Sequence, residues 1–249
     1  MKTAKILSFI FTALLIFSSI QPAESSDYLN EVVRANNLYT EKKYSESAQV
    51  YESLVNKGER NGHLYYNLGN AYIRMGKTGH AILNYLKALK WIPGNENLHA
   101  NLKFAIQQTQ DKTELPPPGT LNVLFFWVND FNINELIYFA MFLNFTFWIC
   151  MALWIYFPAL KIARNALLFL LLLSFASIGV KIKNESDIQI GVVLANSLEV
   201  KSGRAADAIT LFQLHEGALI TVTDKHDNWL EVRINEKQKG WVPQNLIGT

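Results

Sequence analysis

Residues Leu64 to Pro93 read LYYNLGNAYIRMGKTGHAILNYLKALKWIP. Apolar and small residues fall at helical spacing along it, at Tyr65, Leu68, Gly69, Tyr72, Ala81, Tyr85 and Ala88, with Pro93 closing the unit. A weaker copy lies about 34 residues earlier, where Ala35, Tyr44, Tyr51 and Leu54 keep the pattern while Ser47 stands for an expected Ala and Arg34 for an expected Leu. A partial copy follows: Leu98, His99, Leu102, Ala105 and Ile106 recur at helical spacing until Asp111, and no second helix comes after them. This period predicts pairs of antiparallel helices, each too thin to bury its own apolar face, that stack into a concave surface suited to other polypeptides. About three repeats are usually needed for stability. An array of roughly two and a half predicts support from a partner, a dimer or a membrane.

These residues resemble the tetratricopeptide repeat at nearly every signature position. The resemblance implies an all-α domain over 24–112, with repeats at 28–61 and 62–95 and a capping helix at 96–111. It makes Tyr65, Tyr72 and Tyr85 packing residues. It also implies a groove lined from the first helix of each pair, here by His63, Tyr66, Asn67, Asn70 and Arg74, joined by Val32 and Asn36 before them and Asn97 and Asn101 after. A side-chain amide offers both a donor and an acceptor, so such asparagines can clamp the backbone of an extended peptide. Asn36 and Asn67 match the asparagines of a family variant that grips a C-terminal carboxylate. Val32, Asn97 and Asn101 stand where that variant carries cations, which argues against a carboxylate grip. A plainly solvated polar face is the other reading of the same residues.

The chain has 249 residues, half of them hydrophobic and 18% charged, with a net charge of +2; its mean hydropathy is +0.08. With no basic stripe, nucleic acid is not an expected partner. Lys2 and Lys5 precede an apolar run from Ile6 to Ile20 and then Gln21-Pro22-Ala23, which reads as an export signal over 1–23, either cleaved or kept as an anchor. No Cys follows it at lipoprotein spacing. Pro116-Pro117-Pro118-Gly119 predicts a stiff spacer within a linker and interfacial segment at 113–132. Two apolar runs then appear, at 133–157 and 162–180, each long enough to cross a bilayer. The turn between them, 158–161, is short; it and Arg164 carry the basic residues, which predicts a cytoplasmic turn with both flanks outside. Lys181 and Lys183 after the second run are offset by Glu185 and Asp187. Trp127, Trp148 and Trp154 fit interfacial anchors. Asn144, at membrane depth, is a candidate for a hydrogen bond to the neighbouring helix. The single Cys150 falls inside the first span and cannot form an intramolecular disulfide.

From Gly191 to Thr249 the pattern changes to short alternating runs punctuated by Gly, Asp and Asn, which predicts a small all-β barrel. Val200 to Gly203, Leu214 to Gly217, Asp227 to Val232 and Gly240 to Leu246 resemble bacterial SH3-like domains over 191–249. Asn228 and Leu246 occupy positions where polyproline-binding relatives carry aromatic walls, while Trp241 and Pro243 remain. Asn228, Trp241 and Pro243 are therefore the candidate surface of this module, and polypeptide or wall-peptide contact is expected more than polyproline capture. His215 and His226 read as solvated loop residues, with no metal spacing around them.

No phosphate loop, nucleophile elbow, HExxH or Cys pair appears, so a non-catalytic protein without cofactor or metal is expected. The predicted fold class is multidomain: all-α helical repeats, a two-helix transmembrane hairpin and an all-β SH3-like barrel. In this order the parts resemble the BatE family of the Bacteroides aerotolerance group. That resemblance implies a scaffold in a bacterial inner membrane with both globular domains periplasmic. It also implies protein partners of the von Willebrand factor A type and a MoxR-class ATPase, in tolerance of oxygen or envelope stress. The alternative is a wall-sensing protein whose barrel binds peptidoglycan peptides.

Overall fold

The computed structural model describes residues 26–116, 119–187 and 189–249. The expected export signal at 1–23 lies outside them.

Five helices build the repeats: α1 (Ser26–Thr40), α2 (Tyr44–Asn56), α3 (Gly62–Arg74), α4 (Thr78–Leu89) and α5 (Glu96–Gln108). Asn61 caps α3 by accepting from the His63 N–H at 2.8 Å, and Asn95 caps α5 by accepting from the Leu98 N–H at 2.9 Å. Helix α3 ends in a Schellman turn: the Lys77 N–H reaches Tyr72 O, the Gly76 N–H reaches Ile73 O, and Gly76 has a φ of 74°. The same turn closes α1 with Lys42 at a φ of 63°. Gly69 lets α3 and α4 approach, since a Cβ there would lie 2.5 Å from the Tyr85 ring. Ser47, where an Ala was expected, is fully buried and donates its hydroxyl to Ala35 O at 2.8 Å, so its polarity is satisfied.

Short helix α6 (Thr120–Leu124) and a 3-10 turn at Phe126–Asn129 lead to α7 (Ile133–Trp154), whose start carries a capping box between Asn132 and Glu135. A 3-10 turn at Pro158–Leu160 connects to α8 (Lys161–Asp187). Arg164 lies over the Trp154 ring at 4.1 Å and ties this turn together. Both helices are long and apolar enough to cross a membrane, and only 22% and 28% of their apolar windows are buried within the protein. A helix hydrophobic all round and this exposed needs an apolar surrounding. Asn144 is exposed and makes no hydrogen bond to α8 among the described residues. The polar contacts with α8 come instead from the segment before α7: Trp127 donates to Ser177 at 3.1 Å, Asn184 bonds Asn122, and Lys181 donates to Val128 O at 3.3 Å.

Seven antiparallel strands form one sheet in the order β3-β2-β6-β5-β4-β1-β7. They are β1 (Gln189–Val193), β2 (Ser197–Lys201), β3 (Thr210–His215), β4 (Leu219–His226), β5 (Trp229–Arg233), β6 (Lys239–Pro243) and β7 (Ile247–Gly248). Val193, Leu198, Val200, Leu214, Ile220, Leu230, Val232 and Val242 fill the interior. In β5 the inward residues are Leu230 and Val232, so Trp229 falls on the other face and is only half-buried.

The barrel is docked on the repeats. Val192 and Leu219 belong to the same apolar core as Ile82, Tyr85 and Ala105, with Ile190 packed beside them. Glu216 accepts from the Gly79 N–H at 2.9 Å, Asp111 accepts from the His215 N–H and lies 3.0 Å from its Nδ1, and Thr113 Oγ1 accepts from the Leu219 N–H. Gly217, with a φ of 84°, fits because a Cβ would meet Thr109 Cγ2 at 2.5 Å. His215 is therefore an interface residue at the end of β3, not a solvated loop residue, and Asp111 and Thr113, before the proline run, are fastened to the barrel. The support that a short array needs comes from within the chain, through the barrel packed on α4.

Candidate functional site

Helices α1, α3 and α5 place the expected groove residues side by side. Tyr51 donates to Asn36 Oδ1 at 2.6 Å, and Asn67 Nδ2 approaches the same oxygen at 3.5 Å. One repeat later Tyr85 donates to Asn70 Oδ1 at 2.8 Å, and Asn101 Nδ2 donates to it at 2.9 Å. Each unit thus joins a first helix, its own second helix and the next first helix through one amide oxygen. Asn101 also donates to the Tyr66 hydroxyl at 3.1 Å, and Arg74 Nε lies 3.4 Å from the Tyr39 hydroxyl. Of the expected groove residues, Asn36, Tyr66, Asn67, Asn70, Arg74 and Asn101 come together in this network. His63 is exposed one turn before Asn67 on the same helix, with its side chain outside the network. Asn97 is exposed, and Val32 packs on the core.

The network decides what the groove offers. Because tyrosine hydroxyls and a neighbouring amide occupy Oδ1 of Asn36 and Asn70, their Nδ2 groups are left as donors, and Arg74 adds a guanidinium. Burial raises the Tyr51 phenol to about 12 and raises that of Tyr85 as well, so both hydroxyls stay protonated as donors at neutral pH. A cleft of about 40 Å³ lies among Asn36, Tyr39, Tyr51, Asn67 and Asn70. That is room for a main-chain group and not for a bulky side chain. The arrangement suits backbone carbonyls of an extended segment lying across the first helices. The sequence marks Tyr51 and Tyr85 as repeat positions but not their hydrogen bonds to asparagines, though each follows its asparagine by 15 residues, and Tyr39 carries no signal there.

On the barrel, Trp241 and Pro243 lie two residues apart on β6, and Asn228 precedes the neighbouring strand β5. Trp229 pairs with Pro243 across β5 and β6, and Asn228 O accepts from the Gln244 N–H at 2.8 Å. The half-buried Trp241 ring lies between His226, at 5.9 Å, and the Arg204 guanidinium, at 5.3 Å. Arg204, in the loop after β2, had no signal in the sequence beyond its charge. His226 is exposed and pairs with Asp224 at 3.2 Å. This face belongs to strands and loops away from β1, β7 and the β3–β4 turn, which meet the repeats.

At the docking surface His80 Nδ1 is buried with no hydrogen-bond partner among the described residues. Burial, and secondarily Lys77, push the His80 imidazole below its ordinary range, while Glu216 and Glu52 oppose this.

Residues 62–95 match the tetratricopeptide repeat family, and residues 203–248 match the bacterial SH3 domain family. A search of curated proteins returns no match. The two matched families are interaction modules, which bind protein or peptidoglycan.

Proposed function

We propose that this chain is a membrane-anchored, non-catalytic adaptor whose asparagine-lined groove holds an extended segment of a partner protein. The observation that carries the reading is the repeated triad, which ties down the amide oxygens of Asn36 and Asn70 and leaves their donors and Arg74 for the carbonyls of a ligand. The barrel docks through α4 and the residues that follow α5, while the cleft at Asn36, Asn67 and Asn70 is lined by repeat residues. The basic turn at Lys161 and Arg164 favours a cytoplasmic turn, with repeats and barrel in the periplasm above a bacterial inner membrane. The order of parts favours von Willebrand factor A-type membrane proteins and a MoxR-class ATPase as the assembly, in aerotolerance or envelope stress.

A second reading has its own observation. Trp241, flanked by His226 and Arg204, gives the barrel an aromatic and cationic face suited to the carboxylates and peptide planes of wall stem peptides. Affinity purification of the full chain from its native membrane in mild detergent separates the two. The adaptor reading expects membrane partner proteins that are lost with Arg74→Glu and retained with Trp241→Ala. Recovery of wall fragments, lost with Trp241→Ala, would move the function to the barrel.

A further inference from the structure

We infer that the end of the helical hairpin nearer the globular domains holds one acyl chain of a phospholipid from the surrounding bilayer, in a preformed crevice. The inference rests on α7 and α8 crossing a membrane. The crevice encloses about 390 Å³ between Leu136 and Phe139 of α7, Leu170 and Leu173 of α8, and the Trp127 ring. That volume lies within the range of ordinary ligand sites, roughly 300–1,000 Å³.

Its shape is held without a ligand. The Trp127 indole is fastened to Ser177, Lys181 holds the Val128 carbonyl, and the capping box fixes the start of α7. Its depth matches one leaflet. From Ser177 to Leu170 the α8 axis advances roughly 10 Å at about 1.5 Å per residue, within half of a hydrocarbon core about 30 Å thick.

The lining selects hydrocarbon. Ser174 and Ser177, the hydroxyl-bearing walls, donate to Leu171 O at 2.7 Å and Leu173 O at 2.9 Å, the carbonyls of their own helix. The Glu135 carboxylate accepts from the Asn132 N–H at 2.7 Å. Among the described lining residues, the Trp127, Ser174 and Ser177 donors are all engaged within the protein. A partner's transmembrane helix is too large, because one turn about 10 Å wide and 5.4 Å long would take up the whole space. A flexible chain fits.

The segment above the crevice belongs at the same level. Thr120 to Asn129 contains no charged residue, and Val123, Leu124 and Phe126 are 72%, 67% and 68% exposed, so their side chains suit the boundary between headgroups and acyl chains.

The test uses the full chain in nanodiscs of palmitoyl-oleoyl phosphatidylethanolamine with a minority of the phosphatidylglycerol analogue. Native mass spectrometry then counts the lipid kept by each protein after release into detergent. Leu173→Trp and Ser174→Trp fill the crevice from two positions, and Leu172→Trp, on the exposed side of α8, is the control. The expected result is one retained phospholipid in the wild type and the control, lost in both filled variants while their gel-filtration profile is unchanged. Equal retention in all four proteins, no lipid in the wild type, or recovery of free fatty acid or a protein fragment instead would overturn the inference. Flotation of the wild type with the same lipids checks the membrane reading separately.

Discussion

Tyr85 donates its hydroxyl to Asn70 Oδ1 at 2.8 Å, and a repeat earlier Tyr51 makes the same bond to Asn36 at 2.6 Å. The asparagines proposed to face a ligand are therefore also struts between helices. Tyr85 is only 1% exposed, so Asn70→Ala strands a buried hydroxyl and costs about 1–3 kcal/mol, whereas Tyr85→Phe removes the donor and costs about 1 kcal/mol. In a double-mutant cycle, read by hydrogen exchange of α3 and α4 in the full chain, the two losses are less than additive. Strict additivity would show that the bond contributes nothing. Arg74 and His63, which carry less of the packing, are the cleaner positions for removing ligand contacts.

Gly217 is one of the tight points of the docked interface. Gly217→Val adds a side chain where Thr109 Cγ2 is already 2.5 Å from an ideal Cβ, on a backbone with a φ of 84°. The expected cost is about 1–3 kcal/mol of overpacking, localised to docking. Limited proteolysis should open the stretch around Thr113 in this variant. Gly203→Ala, where the nearest atom is 3.9 Å away, should leave it closed.

Acid should loosen the same interface through His80. Its folded-state pKa is lowered from 6.5, chiefly by burial, so the stability it contributes is present above about 6.5 and is lost as the pH falls through the lower folded value. Hydrogen exchange around Gly79 and Gly217 should rise over that window, and His80→Gln should flatten the rise.

Lys42 holds the position of the first helical turn that Gly76 holds in the second, with a φ of 63° against 74°. Lys42→Gly removes the penalty of a side chain in left-handed backbone and should stabilise α1 and α2 by about 1 kcal/mol. Thermal unfolding of the two proteins in the same detergent reads the difference.

The parts of this fold that follow from local periodicity were legible in the sequence. Leu68, Gly69, Tyr72, Ala81 and Ala88 specify a helix pair by spacing alone, the apolar runs specify two long helices by length, and alternation in GVVLAN and LEVKSG specifies strands. The docking was not legible, because it depends on contacts between residues about a hundred positions apart, such as Asp111 with His215 and Gly79 with Glu216. Thr113, before the proline run, likewise shows its role only when Leu219 is beside it. Asn36, Asn67, Asn70 and Asn101 were expected on one face from their repeat positions, and the structure joins them in hydrogen-bonded units. Their tyrosine partners read simply as packing, which they also are.

The proposed occupant of the first-helix face is a partner polypeptide. A photo-crosslinking amino acid placed at His63, exposed beside Asn67 and outside the hydrogen-bonded network, reports on that face in the native membrane. The expected result is a crosslink to an extended segment of another membrane protein, lost when Arg74→Glu is added. Crosslinks confined to wall fragments or lipid, or a protein crosslink unchanged by Arg74→Glu, would contradict it.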